Sequence, residues 1–355
     1  MLVETISREQ TGGLPGRQMA DSLVGVRNLL MQIESETQSP KAVPPRAAII
    51  GLDFAGAYDR VDRGFLYKAM VAFGFPPATI RWVQTLYETS EARVILNGTF
   101  GKPIVFERGI KQGCPLAMLL YIIYIEPLLL RFKKELAGVK IAGHPLIVGG
   151  HVDDQFLFVK CDEDIRRMWG IVESFEDCTN ALINRQKTRL LGLGIWKERK
   201  QWPFEWLTSS PNIKVLGIVF CPTVKETIAM NLSQMQTKVR RSLWGASNRK
   251  LTVLQRAQFF NKFIVPKFIH LAKVFPLPKK RLIDMQKACS KFIWRNRLER
   301  IALEQSHPKL TEGGLGLVIL EHKCRALFSA TLIKQFLGES SGTSFLNYWI
   351  GKALK

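Results

Sequence analysis

The first 225 residues alternate short apolar runs with stretches in which apolar residues recur at helical spacing. Two runs, residues 146–148 and 156–159, are brief and rich in β-branched or aromatic residues, which predicts buried strands. Gly149 and Gly150 break the pattern between them, so this segment predicts a β-turn-β hairpin. Further strands are predicted at residues 48–52, 190–193 and 214–220.

Helical spacing predicts a series of amphipathic helices between these strands. They cover residues 23–33, 66–73, 80–87 and 165–182, and a more apolar one, predicted to be buried, covers residues 115–130. Pro115 is expected in the first turn of that helix, where its missing N–H would be unpaired in any case. Residues 1–20 predict a polar, Gly-rich loop, and the prolines of residues 39–45 are expected to end the first helix.

Asn97 and Gly98 lie between two β-prone runs, residues 94–96 and 104–106. Asn-Gly is a strong hairpin signal, and the separation of the runs predicts a loop longer than two residues.

After residue 226 the strand pattern stops, and basic amphipathic helices follow. The formal net charge is +21, and residues 226–355 hold 23 Lys or Arg against 7 Asp or Glu. Such a surplus indicates a polyanionic partner such as nucleic acid, although any single cation is equally well explained as a solvated helix face. The pattern as a whole predicts an α+β chain with a small antiparallel sheet flanked by helices, followed by an all-helical basic region.

Composition argues against several classes of protein. The six cysteines are scattered and lie apart from histidines, which disfavours a zinc site or a disulfide framework. Glu4 and Glu9 interrupt any signal peptide, and residues 115–130 are too few to span a membrane. We therefore expect an intracellular protein without a membrane partner.

Asp153 and Asp154 follow the first strand of the predicted hairpin. An isolated Asp-Asp pair is usually explained by turn chemistry, because Asp accepts backbone hydrogen bonds in turns. A third carboxylate, Asp53, directly follows the strand at residues 48–52. Three carboxylates at the ends of buried strands suit a site for two Mg²⁺ ions, which prefer oxygen ligands and leave positions open for phosphates.

The order of motifs resembles that of reverse transcriptases, specifically those of LINE-type (non-LTR) retrotransposons. The resemblance rests on residues 52–62 (LDFAGAYDRVD), 108–116 (RGIKQGCPL), 151–154 (HVDD), 183–188 (INRQKT) and 215–217 (VLG), with two further matches at residues 14–17 and 312–317. It covers nearly the whole chain.

The resemblance implies a polymerase palm in which Asp53 and Asp153 bind two Mg²⁺ ions, with Asp154 beside them. Phe54 and Tyr58 would lie at the incoming dNTP, where the Tyr58 ring would exclude a ribose 2′-hydroxyl; without the family, Tyr58 would be a core aromatic. Gln112 and Gly113 match the loop that contacts the template and the new base pair. Lys187 matches a catalytic lysine near the triphosphate, acting as a general acid or a charge partner.

The resemblance further implies that an RNA template and a DNA primer bind along basic side chains. Those predicted to contact nucleic acid are Arg17, Arg108, Lys111, Lys238, Arg240 and Arg241. The implied domains are a truncated fingers segment (1–45), the palm (46–222) and a helical thumb with its C-terminal connection (223–355). A eukaryotic LINE product would act in the nucleus.

The chain also departs from the family pattern. His151 and Val152 replace the usual aromatic and small residues before Asp153, and Ala117 replaces a common serine. We expect Val152 to displace Asp153 and His151 to add positive charge at low pH. The leading hypothesis is therefore an RNA-directed DNA polymerase, as a fragment or degenerate copy; the alternatives are a catalytically inactive nucleic-acid-binding protein and, with less support, a two-metal nuclease.

Overall fold

The chain forms two units in a computed structural model that describes residues 2–38, 45–295 and 302–337. The first unit comprises Met1–Gly25 and Gln32–Leu216, and the second comprises Val26–Met31 and Gly217–Lys355. The prolines predicted to end the first helix fall largely at residues 39–44, outside the described residues.

Residues up to 216 contain six α-helices, one short 3₁₀-helix (Ile195–Glu198) and eleven strands among those described. The helices are α1 (Leu2–Thr5), α2 (Met19–Thr37), α3 (Arg63–Ala72), α4 (Pro77–Glu88), α5 (Ala117–Glu135) and α6 (Asp162–Thr179). The strands are β1 (Arg46–Leu52), β2 (Glu91–Ala92), β3 (Ile95–Leu96), β4 (Thr99–Phe100), β5 (Ile104–Val105), β6 (Val139–Ile141), β7 (His144–Leu146), β8 (Val148–His151), β9 (Asp154–Val159), β10 (Arg189–Gly194) and β11 (Ile213–Val215).

A four-stranded sheet in the order β10-β1-β9-β8 is the centre of the first unit, and all its pairings are antiparallel. The predicted small antiparallel sheet is thus confirmed. One face of β1 contributes Ala48, Ile50 and Leu52 to the hydrophobic core, together with apolar residues of α3, α5 and α6. Since β1 is paired on both sides and buried on both faces, its sequence is continuously apolar rather than alternating.

Helix α5 is buried around most of its circumference, as its apolar sequence predicts. It begins at Ala117, so Pro115 lies outside the helix and not in its first turn. The buried exception to its apolar character is Glu126, which accepts hydrogen bonds from the main-chain N–H and the hydroxyl of Ser7. The predicted helix at 165–182 likewise ends earlier, at Thr179, because Asn180 takes a left-handed conformation.

Two predictions about turns are wrong. Asn97 and Gly98, both at positive φ, form a two-residue turn between β3 and β4, and Ile104–Val105 pairs instead with Glu91–Ala92. The β3–β4 hairpin lies in sequence between the paired strands β2 and β5. The separation of the apolar runs therefore suggested a longer loop. The single strand predicted at 214–220 is divided by Leu216 and Gly217, again both at positive φ.

The second unit is helical after its first strand, as predicted. It contains β12 (Ile218–Phe220), α7 (Val224–Ser247), α8 (Val253–Phe259), a π-helical turn (Phe260–Ile264), α9 (Pro266–Val274), α10 (Lys279–Ile293), α11 (Leu303–Ser306) and α12 (Leu320–Leu337). Arg27 of α2 belongs to this unit, where its guanidinium donates to the Val274 carbonyl at 3.0 Å. Across the part of the chain that the structure describes, no helix is long and apolar enough to cross a membrane.

Candidate active site

The predicted carboxylates meet at one end of the central sheet. His151 pairs with Asp154 across the β8–β9 hairpin, so Val152 and Asp153 form its two-residue turn. Leu52 of β1 pairs with Gln155 of β9 as the last pair of their register, so Asp53 and Asp154, the next residues, lie at the same end of the sheet. The sequence prediction that a hairpin tip and a strand end bring these three side chains together is consistent with this register.

The electrostatics of Asp154 reflect this crowding. Desolvation by neighbouring protein atoms raises the pKa of its carboxyl, and the charges of Asp153 and Asp53 raise it further. His151 and Lys214 oppose that rise. Like charges held close together favour protonation of one of them or the approach of a cation, so the arrangement favours cation binding.

The carboxylates do not form a complete protein cage for a metal. Among the residues that the structure describes, no group of three or more His, Cys, Asp or Glu side chains is arranged to hold an ion. Mg²⁺ is commonly bound by one or two carboxylates together with waters and substrate phosphates. The oxygen donors of Asp53 and Asp153 fit that mode of binding, in which waters and phosphates complete the site.

Lys187 lies beside Asp53 because the following segment is anchored to the end of β1. Asn184 donates its main-chain N–H to the Asp53 carbonyl at 2.7 Å, and its own carboxamide oxygen accepts from the Lys187 N–H at 3.1 Å. The Lys187 Nζ is 3.9 Å from Asp53 Oδ2, and both side chains are solvent-exposed. Such an exposed pair stabilises the fold little, which leaves the ammonium available to a phosphate.

Tyr58 is fixed by a second aromatic ring. Its ring stacks on that of Tyr121 with centroids 5.0 Å apart. Desolvation raises the pKa of the Tyr58 hydroxyl, and the charge of Asp153 raises it further. The ring packs against the core, and its contact with an incoming sugar stays a prediction.

The loop containing Gln112 is attached to the segment around Tyr58. Ile110 donates its N–H to the Tyr58 carbonyl at 2.9 Å, and Gln112 Nε2 donates to Asp59 Oδ1 at 3.3 Å. Gly109 has a φ of +83°, and a Cβ there would lie 2.8 Å from the Asp59 carbonyl oxygen. Glycine is therefore required at position 109.

Arg63 supports the same loop from its other side. Its guanidinium donates to the carbonyls of Gly109 at 2.9 Å, Tyr87 at 2.9 Å and Arg108 at 3.2 Å. The predicted nucleic-acid and nucleotide contacts of this loop, Arg108, Lys111, Gln112 and Gly113, are all exposed. The Arg63 hydrogen bonds thus attach the loop to the protein on one side, and its exposed side chains face solvent. This arrangement suits a loop that contacts a ligand.

The two unusual residues before Asp153 differ in their consequences. Val152 has a φ of +60°, a conformation that a β-branched residue rarely adopts. His151 is half-buried, and desolvation lowers the pKa of its imidazole despite the opposing charges of Asp154 and Asp153. The positive charge expected of His151 therefore appears only below the usual range for histidine.

The other predicted nucleic-acid contacts fall into two groups. Arg17 donates to the carbonyls of Val3 and Ile6 at 2.8 Å, and also to those of Ser7 and Gln10. These bonds assign Arg17 to holding the N-terminal segment, and its contact with nucleic acid stays a prediction. Lys238, Arg240 and Arg241 are exposed on α7 of the second unit.

The residues that hold the Val152–Asp153 turn were not predicted from the sequence. Gln10, Thr11 and Gln155 all bond to residues 150–152, and the contact from Gln10 to Val152 spans 142 positions. Only the position of Gln10 within the predicted Gly-rich loop is visible in the sequence, and that alone indicates no partner.

The comparison with known proteins agrees with the site. Residues 1–220 match the family described as reverse transcriptase (RNA-dependent DNA polymerase). The chain is 27% identical to the Transposon TX1 uncharacterized 149 kDa protein of Xenopus laevis, over 95% of this chain and 26% of that protein. It is 20% identical to the Pol polyprotein of the type-1 retrotransposable element R2 of Popillia japonica, over 80% of this chain and 48% of that protein.

Among solved structures, apo telomerase from Candida tropicalis aligns with 98% of this chain and 58% of its own, at 11% identity and a TM-score of 0.49. The chain spans about a quarter of the length of its TX1 relative. The family match covers more than half of the residues, and it coincides with the sheet, the carboxylates and the Gln112 loop. The predicted resemblance is therefore confirmed: this chain belongs to the reverse transcriptase family, with relatives among LINE-type retrotransposon proteins.

Proposed function

We propose that this chain is the RNA-directed DNA polymerase part of a LINE-type retrotransposon protein and that it extends a DNA primer on an RNA template. The observation that supports the proposal is the register of β1, β9 and β8, whose last pairs, Leu52 with Gln155 and His151 with Asp154, put Asp53 and the Asp153 turn at the same end of the sheet. The raised pKa of the Asp154 carboxyl, caused by desolvation and then by Asp153 and Asp53, agrees with that proximity.

Asp53 and Asp153 would hold two Mg²⁺ ions together with the triphosphate of a dNTP, and Asp154 would add negative charge beside them. When bound, such ions neutralise phosphate charge and lower the pKa of the attacking hydroxyl. In the transfer itself the primer 3′-oxygen forms a bond to the α-phosphorus and loses its proton, while the bond to the β-phosphate breaks and pyrophosphate leaves.

The remaining residues of the site would bind and orient the reactants. Lys187, exposed beside Asp53, would neutralise the leaving pyrophosphate or give it a proton. Phe54 and Tyr58 would lie against the incoming sugar, and the Gln112 and Gly113 loop would contact the new base pair. Arg108, Lys111, Lys238, Arg240 and Arg241 are exposed cations suited to phosphates of the template and primer.

The decisive experiment is primer extension on an RNA template with and without Mg²⁺. Asp153→Asn should abolish incorporation, whereas Asp177→Asn, which removes an exposed carboxylate of α6, should leave it unchanged. Incorporation that persists in Asp153→Asn would overturn the two-metal assignment.

A second candidate function is nucleic-acid binding without catalysis. It is favoured by the positive φ of Val152 next to Asp153. It predicts RNA binding that weakens steeply with salt, together with no dNTP addition under Mg²⁺ or Mn²⁺. Any template-dependent dNTP addition would exclude it.

A further inference from the structure

The residue just before Asp153 is held in a conformation that it does not favour. Val152 is buried and has a φ of +60°. A β-branched residue adopts the left-handed region only where its surroundings determine the backbone. Because Val152 and Asp153 are the two turn residues of the hairpin, whatever holds Val152 also sets the direction of the Asp153 carboxylate.

The group that holds Val152 is the side-chain amide of Gln10. The Val152 N–H donates to Gln10 Oε1 at 2.7 Å, and Gln10 Nε2 donates to the Val152 carbonyl at 3.2 Å. Gln10 is fully buried, so water does not compete for these bonds. Gly12 also donates its N–H to Gln10 Oε1 at 3.1 Å, which fixes which end of the amide faces each partner.

A second side-chain amide, that of Gln155 within the hairpin itself, also binds the main chain of Val152. Gln155, also buried, donates from Nε2 to the Val152 carbonyl at 2.7 Å. The space around the turn is closed as well, since a Cβ at Gly12 would lie 2.4 Å from Val152 Cγ2. Val152 therefore has both main-chain polar groups bonded to side chains and no room to rotate.

The segment that carries Gln10 is itself hydrogen-bonded to the hairpin and to Arg17, which lies just before α2. Gly150 donates to the Glu9 carbonyl at 3.0 Å, and Thr11 donates to the Gly150 carbonyl at 2.9 Å. Arg17 bonds to the carbonyl of Gln10 at 2.8 Å. Gln10 is thus anchored on both sides, which allows it to resist movement of the turn.

We infer that Gln10 is a positioning residue for Asp153, acting through Val152. This inference rests on the proposed polymerase function, in which Asp153 must meet the nucleotide phosphates in one orientation. It also explains how the chain accommodates Val152, since a valine at this turn needs a partner for both of its main-chain groups. Loss of the Gln10 amide should leave the fold and the nucleic-acid contacts in place and disorder the direction of Asp153.

The test compares Gln10→Met with Gln286→Met. Gln286 is a matched control, because it is buried and its Oε1 accepts a main-chain N–H, that of Leu320, at 3.0 Å in the second unit. Gln10→Met should lower kcat for single-nucleotide addition by about 10- to 100-fold, with the Kd for template-primer within about twofold of the parent. Gln286→Met should leave kcat unchanged.

Amide hydrogen exchange tests, independently of catalysis, whether the Gln10 side chain restrains the Val152 main chain. In Gln10→Met the Val152 amide should exchange at least about tenfold faster, while in Gln286→Met that change should be confined to Leu320. Unchanged protection of Val152 in Gln10→Met, or a kcat equal to that of Gln286→Met, would overturn the inference. A parent protein that adds no dNTP would contradict the proposed function, and the exchange result would still decide the role of Gln10.

If Gln10→Met fails to fold, Gln155→Met provides the second variant. It removes only one bond to the Val152 carbonyl and retains both bonds from Gln10. We expect a smaller loss of kcat in the same direction, with the Val152 amide still protected. A kcat equal to that of the parent would count against the inference.

Discussion

At the scale of a single side chain, Tyr58 could have a structural role, a role in substrate specificity, or both, and a substitution distinguishes them. Its ring stacks on Tyr121, and the pKa of its hydroxyl is raised by desolvation and then by the charge of Asp153. If it excludes a ribose 2′-hydroxyl, Tyr58→Val should raise the ratio of rNTP to dNTP incorporation by about 10- to 100-fold. Competition assays measure that ratio, and Tyr67→Val, at another half-buried tyrosine, should leave it unchanged.

Glu126 gives a prediction about stability and pH. Burial raises the pKa of its carboxyl in the folded protein, in spite of the hydrogen bonds from Ser7. The folded state therefore binds the proton more tightly than the unfolded state. The resulting contribution to stability is complete below the usual glutamate pKa and is lost as pH rises through the raised value.

Glu126→Gln removes that dependence. The free energy of unfolding of the parent should fall relative to that of the variant as pH rises from about 4 to 7. Urea unfolding at several pH values measures the difference. Glu163→Gln, at an exposed carboxylate paired with Arg167, should reproduce little of it; a constant difference between the parent and Glu126→Gln would contradict the argument.

Single residues were predictable where their chemistry is local. Asp53, Asp153 and Asp154 could be proposed from the sequence, because Asp53 directly follows the apolar run at residues 48–52 and the other two lie between the apolar runs at residues 146–148 and 156–159. Gln10 could not, because its partner lies 142 positions away and a polar residue within a glycine-rich loop has many roles. The hold on Val152 exists only after the N-terminal segment and the hairpin have met.

At the scale of structural elements, two glycines at positive φ, Gly98 and Gly109, have different surroundings. Gly109 and Gly98 have nearly equal φ values of +83° and +81°, but only at Gly109 would a Cβ meet another atom, the Asp59 carbonyl oxygen at 2.8 Å. Gly98→Ala should therefore cost only the backbone term, about 1 kcal/mol. Gly109→Ala should cost more, and it should displace the Gln112 loop.

Thermal or urea unfolding measures the difference in stability between the two variants. The rate of dNTP addition indicates whether the Gln112 loop is displaced. Equal losses of stability would show that the Gln112 loop, which includes Gly109, can move away from Asp59 without lowering the free energy of unfolding further. In that case the attachment through Ile110 and Arg63 would be weaker than their hydrogen bonds to Tyr58, Gly109 and Tyr87 indicate.

Elements were predictable from periodicity, and their ends were not. The period of 3.6 residues identifies α3 and α6 because each buries one face, whereas β1 and β9 are identified as short, continuously apolar runs that are buried on both faces. The Asn-Gly signal predicted the turn at Asn97 but not its length, and the turn at Leu216 escaped because a tight turn at positive φ leaves the apolar pattern nearly continuous there. Pairing of β2 with β5 around an inner hairpin also needs contacts that no local pattern encodes.

The whole molecule carries its positive charge unevenly, and the domain boundaries predicted at residues 45 and 222 remain predictions. The structure divides the chain at residues 216–217, and it places Val26–Met31 with the second unit. The buried Arg27, bonded to the Val274 carbonyl, explains why a helix near the N-terminus contributes there. Charge surplus predicted the partner class, whereas the assignment of α2 to two units depends on tertiary contacts.

Lys238, Arg240 and Arg241 of α7 test whether that surplus binds nucleic acid. If each contacts a phosphate, binding releases counterions, and the affinity for an RNA–DNA template-primer falls steeply with salt. Replacing all three by Gln should weaken binding at low salt and reduce the slope of log K against log salt by about 2 to 3. Titration by fluorescence anisotropy at several salt concentrations measures that slope.

The matched control removes three arginines that already have partners one helical turn away. Arg131, Arg167 and Arg325 pair with Glu135, Glu163 and Glu321. Their replacement by Gln changes the net charge equally, so any effect of total charge appears in both variants. A slope that changes equally in both would mean that the long-range field governs binding, and α7 would lose its place as a phosphate-contacting surface; a change confined to the α7 variant would establish it.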